Sequence, residues 1–206
     1  EGLRGKRAEQ WKLIDELVPR SKFSETVEKR AMEISDRSIK PVGLKGIDLT
    51  DLKREFNKNS ITYENILITL DRETGVVNLT IKGPSGDLPL DLKSIEALGA
   101  KYWPLALARE LDDAILHLSF NELELGTWVF RSTGDIDRVA NVDEVLIKHK
   151  DHWLINEIIQ YLKRVLKRLD LASRSIVALV EPGSCFAGTL LELVFAADRS
   201  YMLDGI

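Results

Sequence analysis

Residues 175–203 read SIVALVEPGSCFAGTLLELVFAADRSYML. Up to Val180 the run carries no charge and is rich in Ile, Val and Leu, the composition of a strand buried on both sides. It breaks at Pro182 and Gly183, passes through SCFAG and enters a helix at about Thr189. Arg199 to Leu203 then return to strand composition. A strand, a turn, a helix and a further strand make the unit from which parallel sheets are built, because parallel neighbours need a crossover longer than a hairpin.

Upstream, the same alternation continues. A long helix from about Asp151 carries Ile155, Ile158, Ile159, Leu162, Leu166 and Leu169 along one side. TWVFRS, residues 127–132, is rich in strand formers and ends at Gly134. Pro104 suits the first turn of a helix whose Leu107, Leu111, Ala114, Ile115 and Leu118 form a stripe. Earlier, Ile66, Ile68 and Leu70 alternate with polar neighbours, DRETG supplies a turn, and Val77, Leu79 and Ile81 alternate again, the pattern of a β-hairpin closed by Gly83 and Pro84. The expected class is α/β with mainly parallel crossovers.

The amino-terminal part reads differently. Residues 8–18 put Ala8, Trp11, Ile14, Leu17 and Val18 on one helical side, and Pro19 ends that helix. A second amphipathic helix from about Ser24 carries Val27, Ala31 and Ile34, with Phe23 just before it. These apolar stripes require a partner that so short a segment does not supply. Pro41, Gly43, Gly46 and many charges then mark a linker.

Composition excludes several function classes. The 206 residues are 44% hydrophobic, enough for a buried core, and 29 Lys and Arg against 33 Asp and Glu give a net charge of -4. Spread along the chain, that charge favours neither a nucleic-acid backbone nor an anionic membrane. No apolar run approaches the roughly 20 residues that span a bilayer. The single cysteine, Cys185, closes no intrachain disulfide, which fits a reducing cytoplasm. The opening residues carry no secretory pattern and no initiating methionine, and a fragment of a longer protein is expected.

Two stretches resemble the crotonase (enoyl-CoA hydratase and isomerase) superfamily, and their order is informative. GLRGKRAEQWKLIDELVP, residues 2–19, is similar to a segment late in a crotonase domain, whereas residues 175–203 are similar to the mid-domain signature. A late motif before a mid-domain motif implies the end of one domain followed by the first half of another. The expected layout is closing helices of a first domain at 1–39, a linker at 40–60 and a partial second crotonase-like (ClpP/crotonase) domain at 61–206. WPLALARELDDAILHL (103–118) and VEPGSCFAGTLLEL (180–193) narrow the resemblance to the benzoyl-CoA-dihydrodiol lyase family.

That resemblance implies a carbon–carbon lyase acting with water on 2,3-epoxybenzoyl-CoA, in aerobic benzoate degradation, to give a CoA-bound semialdehyde and formate. It implies an acyl-CoA substrate, a benzoyl-CoA epoxidase as pathway partner, a homodimer or higher homo-oligomer, and no metal or organic cofactor. The alternatives are a structural and oligomerisation module without ligand, and an ordinary enoyl-CoA hydratase. In the superfamily, two backbone N–H groups stabilise charge on the thioester oxygen and carboxylates move protons. The resemblance carries those donors to Arg131–Gly134, with Ser132 and Thr133 at its centre, and to Gly188 and Thr189. Here Ala187, Thr189 and Leu190 stand where consecutive glycines are usual, and Phe130 and Arg131 where small residues are common. The expectation is a crowded, degenerate oxyanion hole, with the catalytic residues upstream of Glu1.

Other candidates have plain alternatives. Glu192 falls where an acid/base glutamate is common, but reads more simply as a helix glutamate facing solvent or an ion pair, because a catalytic role needs a neighbouring oxyanion site. Cys185 has no local histidine to activate it and reads as a buried thiol. His149 and His152 lack the further ligands a metal needs, and His117 reads as a surface or packing residue. Lys163, Arg164, Lys167 and Arg168 could meet the phosphates of coenzyme A, yet form the outward side of an amphipathic helix. Trp103, Trp128 and Trp153 read as core or interface anchors.

Overall fold

The computed structural model describes residues 2–38 and 45–205, and the chain divides into two compact units, 1–46 and 47–206. The stretch 39–44, within which the linker was expected to start, lies outside the described residues.

The first unit holds helix α1 (Lys6–Gln10) and helix α2 (Phe23–Arg37). The helix expected over 8–18 is mostly absent. Lys12 sits at φ 54°, and Trp11, Leu13, Ile14 and Leu17 are exposed, so burial offers nothing to offset the cost of a longer helix. Arg7 lies over the Trp11 ring instead, 5.1 Å from its centroid. The second helix forms as expected; an Arg30 fork to Glu16 and Glu33 ties its outer side, while Phe23, Val27 and Ile34 remain exposed.

The second unit is built on one seven-stranded sheet: β1 (Glu55–Asn57), β2 (Ser60–Thr62), β3 (Ile66–Asp71), β4 (Val76–Lys82), β5 (Thr127–Thr133), β6 (Ser175–Val180) and β7 (Arg199–Met202), in that spatial order. The first four pair antiparallel and the last four parallel. The sheet therefore begins inside the stretch 40–60 that reads as a linker. The two extra strands are short and joined by a turn at Asn57–Ser60, too brief to show a period of two.

Helices supply the crossovers: α3 (Leu92–Leu98) and α4 (Trp103–Asn121) between β4 and β5, α5 (Ile136–Lys148) and α6 (Trp153–Asp170) between β5 and β6, and α7 (Gly188–Ala196) between β6 and β7. Two of them have no counterpart in the sequence reading. Helix α3 is only 7 residues long, and α5 carries the β-branched Val139, Val142 and Val145, which depress helix propensity. Side-chain caps start both. Asp91 accepts from the Ser94 N–H at 3.0 Å, and Asp135 from the Asp137 N–H at 2.8 Å.

One side of the sheet is buried from β2 to β6, whereas the edge strands β1 and β7 are exposed. Register aligns Ile61 with Ile68, Ile68 with Leu79 and Leu79 with Phe130; a second row joins Leu70, Val77, Trp128 and Ile176. These side chains pack against Leu107, Leu111 and Leu118 of α4, Val165 and Leu169 of α6, and Leu190 and Leu193 of α7. A second cluster joins α4, α5 and α6 through Tyr102, Val142, Leu146, Ile155 and Ile158. The opposite side carries Thr62, Thr69, Asn78 and Thr80, and none of these is buried.

Helix α4 is fastened to the hairpin by a buried carboxylate. Glu110, 4% exposed, accepts from the Asn65 backbone N–H at 2.8 Å and from Asn65 Nδ2 at 3.1 Å. Burial pushes its carboxyl above the ordinary value, outweighing the hydrogen bonds from Asn65 that pull it down. Further along α4, Asp113 takes the Arg54 guanidinium at 2.5 and 2.6 Å and the Tyr63 hydroxyl at 2.7 Å. A carboxyl raised in the folded state contributes most stability below its unfolded pKa and loses it as pH rises through the folded value. Glu110→Gln removes that dependence. In denaturant unfolding across pH, the wild-type chain is expected to lose stability relative to this variant as pH rises from about 4.5; a difference independent of pH would contradict the assignment.

Candidate functional site

The sheet topology brings the two sequence-predicted turns together at the carboxyl ends of β5 and β6, where ligands commonly bind in open α/β sheets. Ser132 is buried, and its Oγ accepts from the Cys185 N–H at 2.9 Å. The Gly134 N–H donates to the Gly183 carbonyl at 3.0 Å, and the Thr133 carbonyl accepts from the Gly83 N–H at 2.8 Å. The turn after β6 is thus stitched to the end of β5, three residues before α7 begins.

Cys185 is the centre of that stitching. Its side chain is fully buried, and a Cβ added at Gly83 or Gly134 would stand 3.1 or 3.2 Å from Sγ, tighter than ordinary van der Waals contact. Burial pushes the thiol above its ordinary value, which keeps it protonated and inert.

At the start of α7 the structure supplies a group that sequence reasoning missed. Asp143, on α5, accepts from the Thr189 backbone N–H through Oδ2 at 2.5 Å and from Thr189 Oγ1 through Oδ1 at 2.6 Å. Helix amino ends carry N–H groups without intrahelical partners and a favourable field for negative charge. Here a carboxylate of the chain itself takes both. Gly188 is at φ +45°, and a Cβ there would overlap the same carboxylate. No signal in NVDEVLIK marks Asp143, because an acidic residue in an amphipathic helix reads as solvated surface.

The crowding anticipated from side chains is not what fills this turn. Leu190 and Phe130 are buried in the core, and Arg131 forms an ion pair with Glu181. Glu192 is exposed on α7. It borders a groove of about 950 Å³ among α5, α6 and α7, floored by Leu146, Ile159, Leu162 and Leu166, with Asp143, Gly188 and Thr189 also in its lining.

The basic stretch on α6 divides. Lys163 and Lys167 border the groove, whereas Arg168 pairs with Asp112 at 2.7 Å and Arg164 lies over the Tyr161 ring. His152 Nε2 lies 3.3 Å from Glu96, and His117 accompanies Asn121 and the Phe56 ring. Among the described residues no group of three His, Cys, Asp or Glu could hold a metal ion, and no helix is long and apolar enough to cross a membrane. Trp128 is fully buried; Trp103 is partly buried and donates from Nε1 to the Lys82 carbonyl at 3.2 Å.

No protein-family model matches the chain. Benzoyl-CoA-dihydrodiol lyase from Aromatoleum evansii is 46% identical over 204 residues, covering 99% of this chain and 37% of that protein. The chain is homologous to one segment of that lyase. It spans little more than a third of the lyase's length, 37%. Solved structures with partial likeness include AtuE from Pseudomonas aeruginosa, at 16% identity over 68% of this chain and 48% of that one, TM-score 0.43. An enoyl-CoA hydratase from Geobacillus kaustophilus is 14% identical over 69% of this chain and 47% of its own, TM-score 0.44. An enoyl-CoA hydratase/isomerase from Marinobacter aquaeolei is 11% identical over 68% and 48%, TM-score 0.42.

The contact at Thr189 makes Gly188 doubly constrained. Gly188→Ala is expected to cost about 1–3 kcal/mol, from the positive φ and from the collision with Asp143. Removing the Asp143 side chain in the same chain relieves the second part, so the double variant is destabilised by less than the sum of the single ones. Strict additivity in chemical denaturation would contradict the geometry.

Proposed function

We propose that the protein carrying this chain is a lyase that uses water to open and cleave the ring of 2,3-epoxybenzoyl-CoA, releasing formate and leaving a semialdehyde on coenzyme A. The observation that carries this reading is the 46% identity to benzoyl-CoA-dihydrodiol lyase across 99% of the chain. Within it, the amino-terminal residues close a first crotonase domain, and part of a second follows, its body starting by residue 47, earlier than the boundary at 61 read from the sequence. The protein works in the cytoplasm as a homo-oligomer, receives its epoxide from a benzoyl-CoA epoxidase, and uses no metal or organic cofactor.

In this reading the second domain is not the reaction centre. Charge developing on a thioester oxygen needs N–H donors open to it. Of the donors at the positions Ser132, Thr133, Gly188 and Thr189, the Thr189 N–H already serves Asp143. The neighbouring Gly134 N–H serves the Gly183 carbonyl. Glu192 stands exposed at the groove without an oxyanion site to act on. What this part does contribute is a rigid α/β body and an apolar groove.

The test is Glu192→Gln in the full-length enzyme, followed by turnover of the epoxide. Turnover within a few-fold of wild type is expected; a loss of about a thousandfold, some 4 kcal/mol of transition-state stabilisation, would place the chemistry here after all.

A further inference from the structure

The helices of the second unit gather on one side of its sheet, and the cause is topological. Strands β4 to β7 follow one another in space as they do in the chain. Crossovers between parallel strands are almost always right-handed, so each brings its helices to the same side. A strand added beyond β7 in that direction would bring its crossover there too. The other side stays bare. Register runs Thr69, Asn78, Val129, Val177 and Arg199 in one row across it, from β3 to β7, and none of these residues is buried. Two residues along from the row's ends, on the same side, stand Leu67, 37% exposed, and Tyr201, 56% exposed. Parallel sheets occur almost only with both sides covered, because their strands carry apolar residues on both. Here Val129 and Val177 form an apolar centre within a polar rim, the anatomy of an interface.

The geometry points to a second copy of this protein as the cover, packed sheet against sheet. Aligned sheets stack about 10 Å apart. Turned about an axis running along β5, the second copy lays its β7 over β3 and its β3 over β7. Val129 then meets its own counterpart at the axis, and Tyr201 meets Leu67. Arg199 comes opposite Asp71, the exposed carboxylate that ends β3, and symmetry repeats the pair. Arg131, close to the axis, brings no unpaired like charge there, because Glu181 already neutralises it. The inference rests on the homo-oligomer of the reading above and gives that assembly its contact surface.

Sedimentation velocity on the full-length protein tests it. Arg199→Asp and Asp71→Arg each set like charges opposite one another and are expected to weaken self-association at least about tenfold; the double reversal is expected to recover it to within a few-fold. Asp71→Arg also removes the acceptor for the Glu73 and Thr74 N–H groups in the hairpin turn. Val129→Lys leaves that turn intact, and is expected to halve the mass in solution while cooperative unfolding is retained. A monomeric wild type overturns the inference, as does an association constant indifferent to Val129→Lys or a double reversal no better than the single ones. So does a loss of stability at unchanged mass, the result if another part of the same polypeptide covers this side. Mass is read without substrate, whereas epoxide turnover reports on the proposed reaction, so either proposal can fail alone.

Discussion

A single continuous side of apolar residues, aligned across the central strands β2 to β6, is the constraint on which the second unit depends. The rows that run from Ile61 to Phe130 and from Leu70 to Ile176 exist only in this register. A slip of one residue in β3, β4 or β5 would turn Thr69, Asn78 or Val129 inward and expose the corresponding core residue. Because the register is fixed, the carboxyl ends of β5 and β6 lie side by side. The turn at Pro182–Ala187 can then be stitched to Ser132 and Gly134, and α7 starts in reach of α5.

Three backbone N–H groups that this packing buries are satisfied in one manner, by carboxylates and hydroxyls that reach from one element to the backbone of another. Glu110 of α4 serves Asn65 in the β-hairpin, Ser132 of β5 serves Cys185, and Asp143 of α5 serves Thr189. Each prevents the cost of a desolvated N–H without a partner, and each pins two elements together. The third has a consequence for function as well as for folding. Among these three, it alone lies at a helix amino end bordering an apolar groove, where a ligand's negative charge would otherwise be welcome.

Much of this architecture was legible in the sequence, and the misses have physical causes. Strands with a clear period of two, such as Ile66–Asp71 and Val76–Lys82, and helices with a wide apolar stripe, such as Trp103–Asn121 and Trp153–Asp170, declare their burial locally. Helix α5 does not, because its valines favour strands and its start depends on an Asp135 cap. The reverse error occurs at residues 8–18, where helical spacing is present but the unit provides no surface to bury it. At the site, the turns around Ser132 and Thr189 were found through their resemblance to crotonase motifs. The group occupying Thr189 was not, since a contact 46 residues away in the chain leaves no local mark.

The Thr189 turn is filled by Asp143, and in the proposed lyase the thioester is handled elsewhere. A crystal structure of the full-length protein with benzoyl-CoA bound tests this most directly. The thioester oxygen should lie outside these 206 residues, with Asp143 still accepting from Thr189. A thioester oxygen hydrogen-bonded to the Thr189 N–H, with the Asp143 carboxylate swung away, would contradict it.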